Sequence, residues 1–239
     1  CTPGNYITVS DNHSNTWVGP VDSINFGSGN ASTVRTWYAL NAASAGGSTI
    51  VTFSAGGGDG YMRMMVGEYS FGASTSGATV DAHEMASQQL SGNAANAITS
   101  AGTATTTHDG CLIVGFADIA STADWSQPGS NFTKRDSNTD LTYDCWALED
   151  RVQSTAGSVH ATFTSSTSLS SAWTATAMLA FYLAGASGGS VALTGQSIAP
   201  AQGGLGTSQS GSLSRPLTGM AASANTGTPT SVNLQNAGV

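Results

Sequence analysis

The chain of 239 residues has a charged fraction of only 8%, and its fourteen acidic and six basic residues give a formal net charge of -8. Soluble domains usually contain roughly 25% charged residues. Most of the polar surface of this chain must therefore consist of hydroxyl and amide groups, as is common for proteins outside the cell. The few Lys and Arg residues argue against a nucleic-acid partner, and no apolar segment approaches the roughly 20 residues of a membrane span.

Short apolar or alternating segments, separated by Gly, Ser, Asn and Asp, run through the first 183 residues. They are rich in β-branched and aromatic residues, which is typical of strands. In one segment Val159, Ala161 and Phe163 alternate with polar residues, which predicts one buried face. The predicted strands are 6–9, 17–24, 34–40, 49–53, 61–69, 111–117, 145–153, 158–164 and 172–183. Residues 81–90 have a helical pattern instead.

This succession of strands predicts an all-β fold for a head domain, residues 1–184. We expect an antiparallel two-sheet sandwich of the jelly-roll or Ig-like type. A chain of this size buries roughly 70% of its unfolded surface, so it needs no metal to fold. The aromatic residues predicted for the core are Trp17, Trp37, Phe53, Trp146, Phe163, Trp173 and Phe181.

A Gly- and Ser-rich linker, residues 185–190, separates the head from a tail, residues 191–239. Every acidic residue lies before position 151, and Arg215 is the only charged residue in the tail. The triplet Leu-Thr-Gly at 193–195 recurs at 217–219. A repeat of roughly twenty residues suits a strand, a turn and a returning strand.

The tail has too few large apolar side chains to offset the entropy of ordering its backbone alone. We expect it to dock as added strands, on neighbouring chains or on its own head, through main-chain hydrogen bonds. The regular repeat favours neighbouring subunits of a homo-oligomer or filament. The residues predicted to make these assembly contacts are Val191, Leu193, Ile198, Leu217, Val232 and Leu234.

Four head motifs together resemble a β-sandwich module found in secreted bacterial proteins and phage-associated proteins. They are RTWYALNAA at 35–43, GEYS at 67–70, ALEDRV at 147–152 and AGSVHATFT at 156–164. The tail sequence VALTGQSIA, at 191–199, is similar to repeats appended to phage structural proteins and bacterial surface proteins. The second tail copy departs from it, with Met220 in place of Gln196. The resemblance implies an extracellular, cell-surface or virion location and brings no catalytic residues.

The cysteine count is odd: Cys1, Cys111 and Cys145 are all disulfide candidates, and one bridge would leave one thiol over. The remaining thiol could pair between chains, or carry a lipid anchor if it is Cys1. Alternatively, Cys111 and Cys145 are buried thiols, because small apolar cysteines pack well in a core. None of them has the spacing of a zinc site.

One acidic loop is a candidate for calcium, the one cofactor considered. Oxygen ligands at alternate loop positions suit Ca2+, and the candidate ligands are Asp136, Asn138, Asp140 and Asp144. The turn glycine and final glutamate of an EF-hand are missing, and a solvated acidic loop is the alternative. A second acidic group, DAHE at 81–84, combines Asp81, His83 and Glu84.

Two other groups bear on carbohydrate chemistry. Glu149 and Asp150 are adjacent in a predicted strand and should point to opposite faces, so they cannot flank one glycosidic bond. We expect either of them to pair with Arg151 or Arg35. Exposed aromatic residues could stack on sugars, and the candidates are Tyr38, Tyr69, Trp125 and Tyr143. Trp125 is the least strand-like, and the alternative is that it caps the end of the sandwich.

These observations lead to three hypotheses of function. The first is a structural subunit of an extracellular or virion assembly, such as a fibre, an appendage or a capsid decoration, with the tail as the strand that complements neighbours. The second is an adhesion module that binds a cell-surface carbohydrate or receptor. The third is a polysaccharide-acting hydrolase or lyase, which fold class alone does not exclude. No hydrolase, P-loop or zinc-protease motif is present, which favours a protein that is not an enzyme.

Overall fold

The computed structural model describes most of the chain. The described residues are 7–30, 32–40, 42, 46–56, 64–69, 78–90, 97–99, 103–119, 125–128, 131–137, 145–165, 172–183, 195–198 and 208–218. They form antiparallel strands and one short 3-10 helix at Ser28–Asn30, with no α-helix among them. None of these residues belongs to a helix that is long and apolar enough to cross a membrane. The prediction of an all-β, antiparallel fold is confirmed.

The strands are numbered in chain order. They are β1 (Ile7–Asp11), β2 (Trp17–Val18), β3 (Ser23–Phe26), β4 (Ser32–Arg35), β5 (Tyr38–Ala39), β6 (Gly46–Gly56), β7 (Val66–Tyr69), β8 (Ala78–Gln89), β9 (Ala97–Thr99), β10 (Ala104–Thr106), β11 (Cys111–Ile119), β12 (Trp125–Pro128), β13 (Thr133–Ser137), β14 (Cys145–Gln153), β15 (Gly157–Val159), β16 (Thr162–Ser165), β17 (Trp173–Leu183), β18 (Gly195–Ile198) and β19 (Ser208–Thr218).

The main sheet has five strands in the order β13-β14-β11-β17-β8. Its central strand, β11, pairs along its whole length with β14, from Cys111 opposite Gln153 to Ile119 opposite Cys145. On its other edge β11 pairs with β17. The sequence of β11, CLIVGFADI, is a nearly continuous apolar run, as expected for a strand that is buried on both faces.

Apolar side chains cover both faces of the main sheet. The first face includes Ile113, Ala147, Met178, Val159, Ala161 and Phe163. The second face includes Leu112, Val114, Leu148, Met65 and Tyr69. Fully burying one large aliphatic or aromatic side chain contributes about 1.5–3 kcal/mol, so these two clusters are the main source of stability in the head.

Smaller antiparallel sheets surround the main one. They have the orders β1-β6-β19, β12-β16-β9, β10-β15, β18-β7, β2-β5 and β3-β4. Both described tail strands, β18 and β19, therefore pair with strands of the head of the same chain.

The prediction of a helix over residues 81–90 is wrong. This segment belongs to β8, which pairs with β17 from Ala78 opposite Leu183 to Gln89 opposite Trp173. A ladder of hydrogen bonds along a whole neighbouring strand outweighs the small differences in intrinsic propensity that the local pattern reflects.

Three predicted strands are each divided in the structure. The segment 17–24 becomes β2 and β3, separated by residues 19–22, and the segment 34–40 covers the end of β4 and β5, separated at Thr36 and Trp37. The segment 158–164 is interrupted at His160 and Ala161. The predicted core aromatics Phe53, Trp146 and Phe163 are buried. The others are half-buried, namely Trp17, Trp37, Trp173 and Phe181.

Candidate functional site

The longer tail strand lies along β6. β19 pairs with β6 without a register shift, from Ser208 opposite Gly56 to Thr218 opposite Gly46. β1 occupies the other edge of β6. The β19 sequence, SQSGSLSRPLT, is mostly small or polar and has only two large apolar residues, Leu213 and Leu217. Main-chain hydrogen bonds must therefore supply most of this attachment.

The shorter tail strand lies along β7. β18 pairs with β7 from Gly195 opposite Tyr69 to Ile198 opposite Val66. Tyr69 packs into the second-face cluster of the main sheet, and its hydroxyl oxygen is buried. Burial, together with the negative charge of Asp150, raises the pKa of Tyr69. Tyr69 thus fastens to the main sheet the strand that carries β18.

Asp150 forms a buried ion pair beside Tyr69. Arg135 donates from Nε and Nη2 to the two carboxylate oxygens of Asp150, at 2.6 and 2.9 Å, and the Asp150 side chain is only 4% exposed. These hydrogen bonds outweigh burial and raise the pKa of Arg135. Asp150 thus pairs with Arg135 and not with the predicted Arg151 or Arg35, because the register of β13 on β14 shifts at Arg135 and such a bulge re-aims a side chain. The prediction allowed either carboxylate, and the charge of Glu149 does act on Arg151.

Glu149 lies on the other face of β14. It is fully buried, and its Oε1 accepts a hydrogen bond from the backbone N–H of Thr162 at 3.1 Å. Asp150 faces Tyr69 on the second face, so the two adjacent carboxylates point in opposite directions, as predicted. Glu149 therefore fastens β16 to the main sheet. Burial lowers the pKa of Arg151, and the negative charge of Glu149 partly opposes that lowering.

A second bulge, in β8, positions Asp81. Val80 and Ala82 lie opposite consecutive residues of β17, so Asp81 is the extra residue. Its carboxylate accepts hydrogen bonds from the backbone N–H and the hydroxyl of Thr107, at 2.7 and 2.6 Å, and lies 2.6 Å from Nδ1 of His108. Burial opposes ionisation of Asp81, but the hydrogen bonds outweigh it and lower the pKa of Asp81. Asp81 therefore stays a carboxylate that ties β8 to the loop before β11.

The thiol of Cys111 completes this cluster. Its Sγ lies 3.4 Å from Oδ2 of Asp81 and 3.2 Å from the carbonyl oxygen of His108. Burial and the neighbouring Asp81 raise the pKa of Cys111 to about 12. A thiol with so high a pKa is a poor nucleophile, so the Asp81–His108–Cys111 cluster lacks the activated sulfur of a cysteine hydrolase.

The two described cysteines do not bridge each other. Cys111 and Cys145 are buried thiols at opposite ends of the paired strands β11 and β14. A strand rises about 3.3 Å per residue, so these ends lie much farther apart than the roughly 7 Å between Cα atoms that a disulfide tolerates. Cys1 lies outside the described residues, and bridges through it stay predictions.

An open pocket of about 480 Å3 lies between the loop at 18–21 and β8. Val18, Val80 and the ring of Tyr38 line its apolar part, and Asp81 and His83 line its polar part. This volume is within the range of small-molecule sites, roughly 300–1,000 Å3.

The loop that forms one wall of the pocket is tightly fixed. At Gly19, whose φ is +144°, an added Cβ would lie 2.5 Å from the Trp37 ring and 2.8 Å from the carbonyl oxygen of Thr36. The N–H of Val21 donates to that carbonyl at 2.8 Å, and the N–H of Thr36 donates to the carbonyl of Asp22 at 3.2 Å. The wall is therefore formed before any ligand arrives.

The predicted glycan-binding and calcium residues lie partly outside the described structure. Trp125 begins β12, but its side chain is not among those described, and Tyr143 lies outside the described residues. Tyr69 has the anchoring role given above. Asp136 lies in β13, where it accepts a hydrogen bond from the backbone N–H of Ser137 at 2.8 Å.

The rest of the predicted calcium set and most of the predicted assembly set fall outside the described ranges. These residues are Asn138, Asp140, Asp144, Val191, Leu193, Val232 and Leu234. Within the described ranges no cluster of three or more His, Cys, Asp or Glu residues could hold a metal ion. Of the assembly set, Ile198 ends β18 and Leu217 lies in β19.

Three charged contacts went unpredicted, Arg135 with Asp150, His108 with Asp81 and His83 with Asp22. The sequence contained one signal for them, the cluster at 81–84, but the partners of Asp81 and His83 come from distant segments that only the fold brings close. Scans against protein-family models, curated proteins and solved structures found no match to this chain.

Proposed function

We propose that the chain is a structural subunit of an extracellular or virion assembly, in which the tail strands complete the sheets of neighbouring copies. The head is then a two-sheet sandwich of the jelly-roll or Ig-like type, and the tail extends from it. The unbroken register of β19 on β6 is the observation that carries this proposal.

The β6 edge needs a partner strand. β1 covers one edge of β6, and β19 covers the other along the whole of Gly46–Gly56. Without β19 the second edge would present a row of unpaired N–H and C=O groups, which is a template for any extended chain. Such an edge is a natural receptor for a tail strand.

The same ladder forms whether the strand comes from the same chain or from a neighbour, because main-chain groups make it. Exchanging β19 between copies therefore costs little free energy. Protein concentration and the connecting segments decide whether β19 pairs within its own chain or with a neighbour. Residues 184–194 and 199–207 connect β17, β18 and β19. An extended chain spans about 3.3–3.6 Å per residue, so these segments can reach a neighbouring head.

Charge and edge chemistry also favour ordered exchange. The head holds every acidic residue, whereas the tail is nearly uncharged, so a tail meets no like-charge repulsion at a neighbouring head. β19 is the outer strand of its described sheet and contains Pro216. Proline cannot donate a hydrogen bond to a further strand, which limits uncontrolled growth at this edge.

A proline substitution within β19 tests the proposal. Ser212→Pro removes an N–H and distorts the middle of the strand, and Ser212→Ala is the matched control because it keeps the N–H. We expect the full-length chain to form oligomers as concentration rises, measured by size-exclusion chromatography with light scattering. Ser212→Pro should remain monomeric and folded, and Ser212→Ala should behave like the wild type. A wild type that stays monomeric at every concentration would contradict the proposal, as would a proline variant that assembles normally.

A further inference from the structure

The pocket between the loop at 18–21 and β8 has an apolar wall that reaches solvent. Val18 is 43% exposed, which is unusual for a large hydrophobic residue in this head. The Tyr38 ring stands edge-on to Phe181, with centroids 5.9 Å apart and planes at 78°. This contact fixes the ring that lines the pocket. An aromatic ring beside an exposed aliphatic group offers a flat, partly apolar surface, which suits the C–H face of a sugar ring.

The polar part of the pocket offers hydrogen bonding in a fixed direction. Nδ1 of His83 lies 2.9 Å from Oδ2 of Asp22, which holds the imidazole, and the His83 side chain is 44% exposed. With Nδ1 engaged, Nε2 is the ring nitrogen left for a ligand. It accepts a hydrogen bond when the ring is neutral and donates one when the ring is charged. A hydroxyl group of a ligand can bond to Nε2 in either state of the ring, because a hydroxyl both donates and accepts hydrogen bonds.

The charges around the pocket select an uncharged ligand. The described lining residues include no Lys or Arg, and Asp81 lies among them with Asp22 behind His83. An anionic ligand would face two carboxylates with no Lys or Arg among the described lining residues to compensate them. A cationic ligand would have to compete for oxygens that are already hydrogen-bonded, both oxygens of Asp81 with Thr107 and His108, and Oδ2 of Asp22 with His83.

We propose that this pocket binds a neutral saccharide. None of the described tail residues lines it, so the proposal goes beyond the assembly function and stands or fails separately. The fixed loop at Gly19 and the bulge at Asp81 hold the two walls in place before binding, which reduces the ordering cost of association.

The test uses the full-length chain on an array of neutral and acidic glycans, followed by calorimetric titration of the strongest neutral oligosaccharide. We expect neutral glycans to bind in preference to sialylated or uronic-acid glycans. Tyr38→Ala and His83→Ala should each weaken binding by at least about tenfold, because each removes one wall of the pocket. His160→Ala, which changes an exposed histidine outside the pocket, is the matched control and should leave binding unchanged.

A second variant guards against loss of fold. Tyr38 packs against Phe181, so its removal can loosen the head, whereas Val18→Arg fills the pocket from an exposed position. Val18→Arg should abolish binding without changing thermal unfolding, and Ser212→Pro should keep wild-type affinity per site. The proposal is overturned if no neutral glycan binds, if only acidic glycans bind, or if binding survives Val18→Arg and His83→Ala. It is equally overturned if Trp125→Ala alone removes binding.

Discussion

The main sheet and the tail-bearing edges are held by different forces. In the main sheet, β11 and β14 bury side chains on both faces, and Ile113, Ala147 and Leu148 are fully inaccessible. At the tail-bearing edge, β19 has only two large apolar residues, Leu213 and Leu217, among its eleven, and it attaches through its backbone. Side-chain packing specifies one arrangement within a chain, whereas a backbone ladder accepts any suitable strand.

The comparison explains why one region can exchange partners and the other cannot. Replacing β14 would require an identical set of side chains in the same register, but replacing β19 requires only an extended segment. The junction between the two regions is β7, which Tyr69 fastens to the main sheet and which carries β18 on its edge.

The largest expected effect is in the main sheet. Ile113→Ala removes a fully buried side chain from β11 and leaves a cavity, so it should lower the free energy of unfolding by about 2–5 kcal/mol. Val152→Ala, on the neighbouring strand and 42% exposed, is the control and should change it by less than about 0.5 kcal/mol. Urea denaturation of both variants measures the difference. Equal effects would show that burying the Ile113 side chain does not stabilise the main sheet more than the exposed Val152 side chain does.

A smaller effect is expected at the junction. Asp150→Asn removes the charge that Arg135 holds by two hydrogen bonds, and hydrogen bonds to charged groups contribute about 1.5–3 kcal/mol. Arg135→Lys keeps the positive charge without the paired geometry, so it should cost less. Urea denaturation gives both values. An Asp150→Asn variant as stable as the wild type would show that the ion pair does not support the junction.

The smallest expected effect is present near neutral pH and disappears in acid. The folded pKa of Asp81 lies below its ordinary value of 3.8, so its stabilising contribution is complete above roughly pH 4 and is lost as the pH falls towards the folded pKa. Asp81→Asn should therefore be less stable than the wild type at pH 6, and the difference should shrink on acidification. Thermal unfolding between pH 6 and pH 2 follows this trend. A difference that is independent of pH would contradict the assigned ionisation.

Composition and alternation were sufficient to predict the all-β class, and the segment 145–153 agrees with β14 at both ends. Such segments carry their signal in their own residues, because burial on both faces requires continuous apolar character. The helix predicted at 81–90 failed for the opposite reason. Its strand character comes from β17, whose paired residues lie 84 to 98 positions further along the chain and are not part of any local pattern.

Two of the three unpredicted charged contacts, those of Arg135 and Asp81, were missed because they depend on bulges. Arg135 and Asp81 are each the extra residue where a register shifts, and the shift turns the side chain towards a partner that regular pairing would not give it. A bulge leaves no compositional mark in a sequence. That Glu149 and Asp150 point to opposite faces of the sheet could be predicted, because side chains alternate between the two faces along any strand.

The most direct test of strand exchange is a disulfide between two chains that each carry one new cysteine. Thr52 and Ser212 lie opposite each other in β6 and β19, at a separation that a disulfide can bridge. Thr52→Cys and Ser212→Cys chains, both in a Cys1→Ser background and with different tags, are co-expressed and oxidised. A Val152→Cys chain replaces the first partner as the control. Strand exchange predicts a covalent dimer of the two tagged chains that the control does not form. Cross-linking confined to a single chain carrying both substitutions, with no mixed dimer, would contradict it.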